Sequence, residues 1–130
     1  MLDRMVGIIK ENIFNVGNEF LKERASSPDY HTFYNAPTVI LISADEKAPW
    51  IHVDCGLAAE NITLAAEAQN IGSCVIASSG LLFASEKGNS MRKELGMPDG
   101  YNHVCTISLG YKDEDPAAPP RNKEVFNYVK

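Results

Sequence analysis

The sequence is short of most features that mark a special environment. It holds 3 cysteines and 1 tryptophan, and aromatic residues make up only 8% of its 130 positions. Cys55, Cys74 and Cys105 are odd in number and include no C-x-x-C spacing, which argues against a disulfide framework, a dithiol redox pair and a zinc site. They are expected to be reduced thiols behaving as small buried hydrophobes in a cytoplasmic protein. Basic charge is also scarce, with 12 Lys and Arg against 17 Asp and Glu and a net charge of -5. A mild acidic balance spread along the chain offers no face for nucleic acid or anionic lipid. Apolar runs such as Val39 to Ile42 fall far short of the roughly 20 residues a membrane helix needs. Met1 to Lys10 carries Asp3, Arg4 and Lys10 and lacks the apolar stretch and cleavage site of a secretory leader.

Catalytic signatures are equally scarce. There is no G-x-G-x-x-G, P-loop, H-E-x-x-H or G-x-S-x-G. The cluster His52-Val53-Asp54-Cys55 could be taken for a metal or nucleophile site, but Asp54 suits a helix N-cap with Cys55 opening the first turn. No catalytic side chain and no metal ligand set is therefore assigned. His31 and His103 have no acidic partner nearby in sequence and read as ordinary polar histidines. Trp50 reads as a packed loop anchor, with ligand stacking as the alternative.

What is present describes an ordinary globular chain, 45% hydrophobic and 22% charged. Its length suits one domain over residues 1–130 that buries roughly two-thirds of its unfolded surface. Leu2, Met5, Val6, Ile9, Ile13, Val16 and Phe20 recur at helical steps, so one helix is expected from Asp3 to Lys22, weakened by Gly7 and Gly17. Thr38 to Ile42, after Pro37, reads as a strand buried on both faces. A second helix is expected from His52 to Gln69. On it Leu57, Asn61, Leu64, Ala65 and Ala68 share a face, and its many alanines suit a helix central to a domain or to a dimer. Asn70 and Gly72 end it in the manner of a left-handed cap, and Ser73 to Ile76 is extended. Ser78-Ser79-Gly80 reads as a turn. Asn89 or Ser90 can cap a short helix through Leu95, stopped by Gly96. Val104 to Leu109 alternates as a strand. The Pro-rich stretch from Pro116 to Pro120 should run extended, followed by Arg121 and a short final segment over 124–129. Helices alternating with few strands imply an α+β fold, a small central sheet covered by helices.

Four stretches in order carry a resemblance. Phe33-Tyr34-Asn35-Ala36-Pro37-Thr38-Val39-Ile40, then Asp54 to Ala66 with its Ala-Ala-x-Asn-x-x-Leu-Ala-Ala pattern, then Leu95-Gly96-Met97-Pro98-Asp99-Gly100-Tyr101, then Ile107 to Tyr111 with the tail to Arg121, resemble the FMN-dependent nitroreductase family. The resemblance implies a nitroreductase-like fold and a homodimer that holds FMN at its interface. It further implies that NADH or NADPH reduces the flavin, which then reduces a nitroaromatic or quinone small-molecule substrate. The flavin supplies the chemistry, so a chain without a catalytic side chain is compatible with an enzyme. Arg121 matches the basic residue that meets the FMN phosphate, and Ala77 and Ser78 match the loop beside the flavin ring. Two departures stand out. Many relatives carry an acidic residue or glycine where Ala77-Ser78 stands. The family's Arg-Arg-Ser-x-Arg segment and the strand after it are not found, so the chain is expected to be an N-terminally shortened member. The resemblance therefore leaves two functions open: a flavoenzyme, or a truncated, non-catalytic dimeric module without a functional FMN site.

Overall fold

The computed structural model describes residues 1–122, 124, 125 and 127–129; the short segment expected over 124–129 includes residue 126, which lies outside the described residues. Helix α1 spans Leu2–Val16 and buries Met5, Val6, Ile9, Asn12 and Ile13, one stripe at three- and four-residue steps. The single long helix expected to reach Lys22 is instead two. Gly17 takes an extended conformation, with its N–H on the Ile13 carbonyl, and a Cβ there would lie 2.5 Å from that carbonyl oxygen. The helix ends where only glycine fits so tightly. Asn18 then caps α2, Glu19–Ala25, its side chain accepting from the Leu21 N–H at 2.9 Å. Val16 and Phe20, expected in the stripe, lie at this break and are 65% and 63% exposed.

Strand β1 runs Thr38–Asp45, helix α3 Ile51–Ala68, β2 Ile71–Ile76, and β3 Tyr101–Tyr111. A 3-10 helix, Ser78–Ala84, and the short α4, Glu86–Asn89, fill the crossing between β2 and β3. The four-residue α4 precedes the helix expected to start at Asn89 or Ser90; residues 91–96 are turns. Gly88 of α4 permits this crossing, because a Cβ there would overlap the Leu82 carbonyl. The strands form one antiparallel sheet in the order β1-β3-β2, with Ile107 of β3 opposite Ile40 and Val75. Here β1 is an outer strand of the three, so its residues from Val39 to Ala44 are half-buried rather than sealed on both faces, and Thr38 and Asp45 are exposed. Asn70 adopts φ 58 between α3 and β2, and Gly96 and Gly100 have φ 72 and 80 in the turns before β3. The Leu-Gly-Met-Pro-Asp-Gly pattern thus places glycine at two left-handed positions that a side chain would strain.

The core lies between α1 and one face of the sheet. Met5, Ile9, Ile13, Phe33, Ile76, Leu82 and Met91 pack together, with Val39 and Leu41 of β1 against them. The one buried polar side chain of α1, Asn12, is satisfied: its amide donates to the Leu81 carbonyl at 2.8 Å and to Ser85 Oγ at 3.0 Å. It bolts α1 to the 3-10 helix. Helix α3 covers the opposite face of the sheet through Cys55, Ala59 and Ala66. No helix among the described residues is long and apolar enough to cross a membrane.

Candidate functional site

The end of β2 turns directly into the segment that carries Ala77 and Ser78. Ala77 is exposed and precedes the first residue of the 3-10 helix, Ser78, which is half-buried. No side chain from Ala77 to Gly80 is larger than serine, and Ala77 and Gly80 face solvent, so a flat ring can approach this backbone closely. The turn is tied from below. Ser79, 2% exposed, donates its hydroxyl to the Ile76 carbonyl at 2.7 Å, and the Gly80 N–H donates to the Ala77 carbonyl at 3.2 Å. Ser78 also lines a cavity of about 530 Å³ with Arg24, Tyr30, His31, Tyr34 and Asn35.

The far wall of that cavity is a strained loop. Tyr34 and Asn35 are consecutive left-handed residues, φ 55 and 54, a costly arrangement for a tyrosine. His31 holds them: its Nδ1 accepts from the Phe33 and Asn35 N–H groups at 3.2 and 3.1 Å, so its proton belongs on Nε2, which lies 3.9 Å from Asp3. His31 is thus a loop clamp. Arg24 donates to the Tyr34 hydroxyl at 3.3 Å.

Arg121 lies exposed after β3, outside any helix or strand, with no hydrogen bond or ion pair among the described residues. Ala77 and Ser78 are adjacent in the chain at the end of β2, and no hydrogen bond or ion pair among the described residues joins Arg121 to them. Among the described residues no group of three His, Cys, Asp or Glu is placed to hold a metal ion. His52 and Asp54 are exposed, and Asp54 stands in the first turn of α3 rather than at its cap, which is Trp50. Trp50 is not a packed anchor; it is 69% exposed.

The cysteines divide. Cys55 is buried on the sheet-facing side of α3, and Cys105 is half-buried in β3, close enough to feel Cys55. Burial is the first cause that pushes both thiols above their usual range, Asp54 adding to the effect at Cys55. Cys74, expected to be buried, is exposed, because β2 is the other outer strand of the three.

A second surface was only half legible. On α3, Val53, Leu57 and Leu64 are 57%, 61% and 57% exposed, in line with Trp50. These large apolar residues at helical steps form a stripe opposite the one that meets the sheet.

A family model for the nitroreductases matches residues 7–111, from α1 through the turn to the end of β3. The chain belongs to the nitroreductase family. An Archaeoglobus fulgidus protein named for NADH dehydrogenase and NAD(P)H nitroreductase activity is 37% identical over 87 residues, which is 62% of this chain and 48% of that protein. The nitrobenzene nitroreductase of Ectopseudomonas oleovorans is 30% identical over 82 residues, 62% of this chain and 34% of that enzyme. The chain thus matches half or less of the length of these curated relatives. A nitroreductase from Bacteroides fragilis, crystallised with FMN, superposes with a TM-score of 0.88 at 27% identity, covering 99% of this chain and 70% of that one. The nitroreductase fold inferred from four short motifs is the fold found, α+β with a small antiparallel sheet between helices.

Proposed function

We propose that this chain is the flavin-binding body of an FMN-dependent NAD(P)H oxidoreductase that reduces nitroaromatics or quinones and works as a cytoplasmic homodimer. The observation that carries the reading is the nitroreductase match over residues 7–111, a span that includes the Ala77–Gly80 turn, on a fold shared with FMN-bound relatives. Bound FMN would supply the redox chemistry, taking a hydride from the nicotinamide and passing electrons to the acceptor.

The residues present fit such a group. Ala77 and Ser78 offer small side chains and backbone at which a planar ring can lie, and the Ser78 hydroxyl is available to hydrogen-bond its edge. Arg121, with no acidic partner among the described residues, has its fork of donors available to a phosphate. The role of the chain is then to bind and orient the flavin and to keep a flat face open beside Ser78.

The exposed α3 stripe supports the dimer. A second copy presenting the same stripe would cover Trp50, Val53, Leu57 and Leu64 across a two-fold axis, the commonest closed arrangement for a soluble protein. The small residues Gly56, Ala58 and Ala65 on exposed positions of α3 would let the two helices come close.

The test is turnover. Without oxygen, protein loaded with FMN should oxidise one equivalent of NADH or NADPH per flavin on its own and turn over continuously only when a nitroaromatic or quinone is present as acceptor, and should do so as a dimer. A dimer that takes up no FMN would overturn the enzyme and leave the non-catalytic module.

A further inference from the structure

In a regular strand His103 would point to the same side of the sheet as Cys105, toward α3. It does not. Ile42 pairs with Cys105 while the next residue, Ser43, pairs with His103, so Val104 is an extra residue and the register shifts there. A bulge of this kind re-aims a side chain. It turns His103 onto the other face, where Nε2 lies 2.8 Å from Thr106 Oγ1 and 3.4 Å from Ser79 Oγ.

The hydrogen positions follow from the partners. Ser79 spends its hydroxyl proton on the Ile76 carbonyl at 2.7 Å, so toward His103 it can only accept. We assign the hydrogen to Nε2, the tautomer that satisfies both contacts, shared between Ser79 and Thr106, which is fully buried. Nδ1 carries a lone pair toward Gly80, where an added Cβ would lie 3.7 Å away. His103 therefore braces both ends of the Ala77–Ser78 segment through one serine.

We propose that His103 is the positioning residue of the Ala77–Gly80 turn, holding it in place while the ring is neutral and releasing it when the ring is protonated. A second proton would go to Nδ1, which has no hydrogen-bond partner among the described residues, and would place a cation in a half-buried stack. Phe83 lies against the imidazole with ring centroids 5.5 Å apart, and the Arg92 guanidinium sits 4.7 Å from the Phe83 ring centre. Arg92 is itself fixed on the Tyr101 carbonyl at 2.8 Å, so it cannot readily withdraw. From the 3-10 helix the ring meets Ser79 and Phe83, and from β1 Ser43 is opposite; none of these is charged. At the end of β1, Glu46 is taken up by Asn102 at 3.1 Å, and Asp45 by the Lys47 N–H at 3.0 Å. Burial first, and Arg92 second, hold His103 below its usual value. The sign follows: the brace contributes fully above the ordinary histidine value and is lost as pH falls through the lowered one.

Amide hydrogen exchange on flavin-free protein tests this directly. After correction for intrinsic rates, protection of the peptide spanning 77–83 should fall by about tenfold or more between about pH 7.5 and pH 5, while α1 stays protected. In His103→Gln, whose amide can still donate but cannot titrate, that fall should vanish; His103→Asn serves if the glutamine variant does not fold. No pH dependence in the unaltered protein, or the same dependence in the variants, overturns the proposal. The consequence for FMN rests on the flavin reading: affinity should weaken with acid in the unaltered protein more than in His103→Gln. If FMN binds at no pH, the flavin reading fails while the exchange result still decides the role of His103.

Discussion

The two sides of the sheet are built differently. On the α1 side the core is closed: Met5, Ile9, Ile13, Phe33 and Leu82 are each 1% exposed or less, and the buried Asn12 has its partners. On the α3 side the helix meets the sheet through small residues, while its outer stripe leaves Leu57 and Leu64 more than half exposed. One side is closed within the chain; the other leaves an apolar stripe exposed. On the proposed reading, stability resides with α1 and assembly would reside with α3.

The largest effect should come from opening the closed side. Ile13→Ala removes a fully buried side chain and should cost about 2–5 kcal/mol in chemical denaturation. The open side should respond in the opposite manner. Leu57→Asp with Leu64→Asp should weaken self-association by about 100-fold, or ~2.7 kcal/mol, in sedimentation, with the protomer's own unfolding barely changed. If these two changes unfold the protomer instead, α3 is part of the core and the contrast fails. Asn12→Ala leaves the Leu81 carbonyl without its donor and should cost about 1–3 kcal/mol, again with no effect on self-association. The smallest is Arg121→Ala, which should weaken FMN binding about tenfold, ~1.4 kcal/mol, without touching stability or assembly.

Much of this was legible in the residues. The α1 stripe, the alanine-rich α3 and the β-branched Thr38 to Ile42 each carry the period of their element, and Gly96 and Gly100 stand where left-handed turns need them. What escaped is what depends on tertiary approach. Gly17 ends α1 because of a close carbonyl, not because of its propensity. Cys74 is exposed because β2 is an outer strand, and strand order cannot be read from alternation. Trp50 and Leu57 are exposed although apolar, since hydrophobicity marks burial without saying against what. His103 was illegible for a sharper reason: one extra residue at Val104 moves it to the other face, where Ser79, Thr106 and Phe83 gather from 3 to 24 positions away. The serine-rich turn itself was visible; its brace was not.

With its small-residue turn, and with Arg121 unpaired among the described residues, this body should hold a flavin. The most direct measurement is the visible absorption spectrum of the protein after incubation with FMN and removal of free flavin by gel filtration. A flavin band should travel with the protein and bleach under anaerobic NADH or NADPH. A colourless protein, or a band that stays unchanged when the nicotinamide is added, would contradict it.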